Sequence, residues 1–117
     1  MDISTRQMES CVILDVEDDF LTYPKTVVFK SHIGKILESG QFNLVLNLEK
    51  VKMVDSFGIA SMISILKLCR EHKGNLTMYG LNEQIMRLIE MTHMDRVLDI
   101  WPSEGQAVHQ VAMPHRK

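Results

Sequence analysis

No stretch of about 18 apolar residues occurs in this sequence, so no segment reads as a membrane-spanning helix. Met1 to Ser10 lacks the apolar core of a secretory signal peptide. Cysteine is scarce: Cys11 and Cys69 lie far apart, in apolar surroundings and without Cys-x-x-Cys spacing. They read as small buried hydrophobes in a reducing compartment. Together these absences predict a cytoplasmic protein with no membrane insertion. Neither charge sign dominates either, with 13 Lys and Arg against 15 Asp and Glu and a formal net charge of -2. Nucleic acid and anionic membrane surfaces demand a basic footprint, so neither is an expected partner.

The motifs of common catalytic chemistry are missing too. The five histidines, His32, His72, His93, His109 and His115, show neither i, i+4 nor HExxH spacing, so they read as surface residues and not as metal ligands. There is no GxxxxGK[ST] and no GxGxxG, hence no standard phosphate-cradling loop. Glu17, Asp18 and Asp19 are adjacent in a loop and do not face one another as acid and base; they read as solvated charges. No catalytic residue, metal or cofactor is expected, and the chain reads as a binding protein instead of an enzyme.

What is present is a pattern of short strands alternating with amphipathic helices. The length and the lack of internal repeats or linkers predict one domain over residues 1–117, with 112–117 as a flexible tail holding the basic cluster His115, Arg116 and Lys117. Val12, Leu14 and Val16 alternate with Ile13, Asp15 and Glu17, which predicts a strand that Ile3 to Met8 pairs with as a hairpin. Pro24 opens a helix with Phe29, Ile33, Ile36 and Leu37 on one face, stopped at Gly40; its Thr26-Val27-Val28 run also fits a strand. Leu44, Leu46 and Leu48 mark a strand with one fully apolar side, which places the helices on one face of the sheet.

After a loop over 49–54, Phe57 to Lys73 reads as the best-defined helix, with Ile59, Met62, Ile63, Leu66 and Cys69 recurring at three- and four-residue steps. Leu76 to Tyr79 is a strand, Asn82 caps a helix carrying Ile85, Leu88 and Ile89, and Val97 to Ile100 is a short strand. Ser103 and Gln106 have capping-box spacing for a last helix through Val111. This order favours parallel strands with right-handed crossovers.

One segment stands out: Met53-Val54-Asp55-Ser56-Phe57-Gly58-Ile59-Ala60. A polar Asp-Ser pair interrupts an apolar run at a helix start, where free N–H groups and the helix dipole favour negative charge such as a phosphate. Both residues are also preferred N-caps, so the pair has a purely structural reading. Only one of them is needed as a cap, however, and Phe57, Ile59 and Met62 cluster nearby as candidate exposed contacts. Phosphorylation there would add a charge of about -1.5 to -2 inside an apolar interface.

These residues give the sequence a resemblance to the STAS domain family, in particular its stand-alone bacterial anti-sigma factor antagonists. The likeness rests on an apolar strand at Leu44 to Leu48, a loop, and Asp55-Ser56-Phe57-Gly58 opening an amphipathic helix. It continues through Gly74-Asn75-Leu76-Thr77-Met78-Tyr79-Gly80-Leu81 and the Met86-to-Val97 segment with its arginine, leucine, glutamate and threonine.

The resemblance implies an α/β fold, a single STAS-type domain with a mixed, mostly parallel sheet of about 4–5 strands and about four helices mainly on one face. It implies a regulator that binds an anti-sigma factor with serine kinase activity, is phosphorylated at Ser56, and is reset by a phosphatase. Asp55 would support the site electrostatically, Gly58 would permit close partner approach, and Phe57, Ile59 and Met62 would line the contact. Asp19 and Thr22 would adjoin the same surface from the loop before the first helix. The family's motif reads Asp-Ser-Ser/Thr-Gly, so Phe57 stands at its second hydroxyl position, and Ala60 replaces a usual glycine. Those departures keep an alternative open: a non-switching scaffold, or an accessory subunit of a signalling complex or transporter. A second copy of the chain, in a homodimer, is a further candidate partner.

Overall fold

The computed structural model describes residues 1–113. The polar segment at the start forms β1 (Ile3–Gln7), which turns back through Glu9 and Ser10 and pairs antiparallel with β2 (Val12–Val16), as the hairpin reading expects. After β3 (Phe20–Leu21) the chain enters α1 (Lys25–Glu38), with Pro24 at its N-cap. The Thr26-Val27-Val28 run is helical, with Thr26 buried while Val27 and Val28 face solvent. The helix stops at Gly40, whose φ of +91° is a conformation that other residues rarely adopt.

Next come β4 (Asn43–Asn47), β5 (Met53–Val54), α2 (Ser56–Glu71), β6 (Asn75–Tyr79) and α3 (Glu83–Met91). A 3₁₀ turn (Met94–Arg96), β7 (Asp99–Trp101) and α4 (Glu104–Val111) complete the described chain. The main sheet has the order β1-β2-β4-β6-β7, and every pairing after the first is parallel. The expected tail over 112–117, with its basic cluster, falls mainly outside the described residues.

The leucines on one face of β2, β4 and β6 pack with α1, α2 and α3. Leu14, Leu44, Leu46, Leu76 and Met78 meet Phe29 and Ile33 of α1, Met62, Ile65 and Leu66 of α2, and Ile85 and Ile89 of α3. Fully burying one such side chain contributes roughly 1.5–3 kcal/mol, so this layer dominates the stability. The fourth helix lies opposite. Ala107 and Val111 of α4 cover Cys11, Ile13, Val45 and Tyr79, and the Thr77 hydroxyl donates to the Ala107 carbonyl at 2.8 Å. The helices are therefore mainly, but not entirely, on one face.

Two local readings shift. The stretch over 49–54, expected to be a loop, contains β5, which pairs in parallel with β3 as a two-residue ribbon outside the main sheet. Two residues carry no detectable period, so the ribbon leaves no mark in the sequence. The last strand begins at Asp99 instead of Val97, because the 3₁₀ turn takes up Met94 to Arg96 and Leu98 is buried ahead of the strand.

Candidate functional site at the start of helix α2

The polar pair at the start of α2 divides its work. Asp55 is the N-cap, in extended backbone, and its Oδ1 accepts the Gly58 N–H at 2.8 Å. Ser56 is the first helical residue and its side chain is exposed. The cap is thus supplied without the Ser56 hydroxyl. At this position the backbone N–H groups of Ser56 and Phe57 have no acceptor within the helix, and the dipole of a 16-residue helix favours an anion beside them.

The second carboxylate oxygen of Asp55 reaches out of the helix. It accepts the Tyr23 N–H at 3.0 Å, tying the loop before α1 to the start of α2. The β3–β5 ribbon continues that connection: Asp19 accepts the N–H groups of Lys52 and Met53 through its carbonyl, and its carboxylate lies 3.6 Å from Lys52 Nζ. The Thr22 carbonyl accepts the Thr26 N–H at the start of α1. The segment from Asp19 to Tyr23 is therefore tied to the segment from Lys52 to Asp55, although some three dozen residues separate Asp19 from Asp55. Beside them, Lys25 donates to Asp18 at 2.8 Å and holds that carboxyl below its ordinary range, helped by the Phe20 N–H.

Four large apolar side chains surround this junction on the solvent side. Phe20 and Met53, direct partners across the ribbon, are 42% and 46% exposed, while Tyr23 and Phe57 are 60% and 57% exposed. The Tyr23 and Phe57 rings pack against each other with centroids 5.1 Å apart. Scattered apolar residues on a surface are ordinary, but four grouped around one helix start form a patch of the kind that partner proteins cover.

Three residues assigned to the contact surface do other work. Ile59 and Met62 are 5% and 0% exposed and belong to the core beneath α2, so they cannot line a surface contact. Gly58 is also buried, and a Cβ there would come within 2.5 Å of the Leu21 carbonyl and of Val54. Its small size lets α2 press on the β3–β5 ribbon. The exposed residues that the sequence reading passed over are Phe20, Tyr23 and Met53. Their signal was slight: single apolar residues in a segment read as loop.

Away from this junction, one network of titratable groups fastens the sheet to α4. Arg6 of β1 makes a paired contact with Asp15 at 2.7 and 2.8 Å and donates to Glu104 of α4 at 2.6 Å. Tyr79 donates to Glu104 at 2.7 Å, and Asn47 donates to Asp15 at 2.7 Å. Arg6, followed by Tyr79, holds the Glu104 carboxyl below its ordinary range, and Arg6 does the same for Asp15. Burial pushes the Cys69 thiol up to about 12, which leaves it protonated and unreactive. A cleft of about 350 Å³ lined by Gly80, Leu81, Met86, Ile100, Trp101 and Pro102 contains no titratable side chain. Among the described residues, no group of three or more His, Cys, Asp or Glu is placed to hold a metal. None of their helices is long and apolar enough to cross a membrane.

The family model described as "STAS domain" matches residues 2–107. A Thermotoga maritima protein provisionally assigned as an anti-sigma factor antagonist is 25% identical over 101 residues, which is 86% of this chain and 89% of that one. The anti-sigma-B factor antagonist of Bacillus subtilis is 22% identical over 100 residues, covering 86% and 90%. The solved structure of an anti-sigma-factor antagonist (STAS) domain protein from Planctomyces limnophilus shares the fold with a TM-score of 0.85. Its sequence identity is 16%, with coverage of 97% of this chain and 100% of that one.

Proposed function

The chain belongs to the STAS domain family, and from that premise we propose that it is a regulatory binding module acting as an anti-sigma factor antagonist. Its partner is an anti-sigma factor with serine kinase activity, which it engages in the cytoplasm through the patch of Phe20, Tyr23, Met53 and Phe57. Asp19, Thr22, Asp55 and Ser56 frame that patch. The observation that carries this reading is the division of labour at the start of α2: Asp55 makes the cap, and the Ser56 side chain stands exposed beside the aromatic pair.

Ser56 is the acceptor. Its Oγ forms a bond to the γ-phosphorus of ATP, the bond to the bridging oxygen breaks, ADP leaves, and the hydroxyl proton is released. The product carries about -1.5 to -2 charge at the edge of an apolar contact, where desolvating it weakens binding. A phosphatase restores the hydroxyl by hydrolysis. Phe57, at the motif's second hydroxyl position, leaves Ser56 as the hydroxyl that the motif presents, and its own ring becomes part of the contact.

Calorimetric titration with the serine-kinase anti-sigma factor of the same organism tests the surface. Phe57→Ala is expected to weaken binding at least tenfold, as truncating a central aromatic anchor commonly does. Ser56→Glu is expected to weaken it as well. Unchanged affinity in both variants would remove this surface from the reading, and a permanent, non-switching contact would then be the better account.

A further inference from the structure

We propose that a phosphate on Ser56 opens a clasp on Tyr23, so that the added charge reshapes the aromatic surface in addition to occupying it. The biological weight of this inference rests on Ser56 as the acceptor. The clasp is formed by the two chain neighbours of that residue. Asp55 holds the Tyr23 backbone through a 3.0 Å hydrogen bond from its N–H, and Phe57 holds the Tyr23 ring at 5.1 Å. Ser56 sits between these two anchors with its side chain exposed.

The Asp55 carboxylate is already divided between two donors, the Gly58 N–H at 2.8 Å and the Tyr23 N–H. A phosphoserine one residue away brings a charge of about -1.5 to -2 and three acceptor oxygens. Its oxygens take the free N–H groups of Ser56 and Phe57 at the helix start, and its charge repels the carboxylate. The three lysines of the flanking segments each lie beside another carboxylate, Lys25 at 2.8 Å from Asp18, Lys52 at 3.6 Å from Asp19 and Lys50 at 4.0 Å from Glu17. Asp55 keeps the cap, which the helix requires, and gives up the longer reach to Tyr23. Tyr23 then loses its tie to α2 while Thr22 and Pro24 keep theirs to α1, and the Tyr23 ring leaves Phe57.

The test needs no kinase. Phosphoserine is installed at position 56 of the full chain by genetic-code expansion, and amide and ring resonances are followed by NMR. The expected result is an upfield shift of the Tyr23 amide proton and loss of the cross-peaks between the Tyr23 and Phe57 rings, with β4 and β6 amides unchanged. Phosphoserine placed instead at Ala60, exposed one turn further along α2, is expected to leave Tyr23 unmoved. An unshifted Tyr23 amide with intact ring cross-peaks, or the same response from position 60, overturns the clasp. Either result leaves the proposed partner and acceptor standing, and failure of the kinase to modify Ser56 leaves the physical coupling standing.

Discussion

Helices α2 and α4 begin with nearly the same chemistry and use it in opposite ways. At α4 the serine is the cap, since Ser103 Oγ accepts the Gln106 N–H at 3.3 Å, and the acid follows it. That acid, Glu104, is tied down by Arg6 and Tyr79, which fastens the helix to the sheet. At α2 the acid is the cap and the serine follows, exposed and with large apolar side chains around it. One helix start is closed by its own protein, and the other keeps an exposed serine beside an exposed aromatic ring. The difference teaches that an Asp-Ser or Ser-Glu pair carries no function by itself; what matters is which of the two residues the cap consumes.

The comparison breaks first on stability. Asp55→Ala removes the cap and the Tyr23 tie, and is expected to cost about 1–2 kcal/mol in chemical denaturation. Ser103→Ala should cost about 0.5–2 kcal/mol for the same reason. Ser56→Ala should stay within about 0.5 kcal/mol of the parent, as an exposed side chain outside the cap does. A loss at Ser56 equal to that at Asp55 would make the serine structural and erase the contrast.

A smaller effect sharpens it from the α4 side. Glu104 and Asp15 have folded carboxyls held below their ordinary values of 4.5 and 3.8 by Arg6. A depressed carboxyl contributes stability that is present above its unfolded value and lost as pH falls through the folded one. The contribution is therefore full at neutral pH and fades from about pH 5 downward. Arg6 and Glu104 are each 41% exposed, so the share of their ion pair is below about 1 kcal/mol. Denaturation midpoints of Arg6→Met are expected to fall less between pH 5 and pH 3 than those of the parent, at about that scale. Parallel acid profiles would show that the network does not fasten α4.

The fold was legible where apolar periodicity and caps agree. Ile59, Met62, Leu66 and Cys69 recur at helical spacing behind Asp55, and Ser103 with Gln106 announces α4. The second buried face of the sheet was not legible, because Asp15, Asn43 and Asn47 interrupt it. Asp15 is satisfied by Arg6 and Asn47, and the network closes on Glu104, 98 residues from Arg6, a pairing no local pattern reveals. At the site, Asp55 and Ser56 were legible from their types and order. Ile59 and Met62 were misplaced because nearness in sequence to Ser56 was read as nearness in space. On a helix Phe57 and Ile59, two apart, point to nearly opposite sides, one to solvent and one to the core. Phe20, Tyr23 and Met53 reach the site through the ribbon and the Asp55–Tyr23 bond, both of which arise only in the folded chain.

The most direct test of the central claim is intact mass after incubation with ATP and the serine-kinase anti-sigma factor, for the parent chain and for Ser56→Ala. One added phosphate on the parent and none on the variant is the predicted result. A phosphate that persists in Ser56→Ala, or a parent that stays unmodified while stably bound to the kinase, would contradict the switch and return Ser56 to the helix start as contact surface alone.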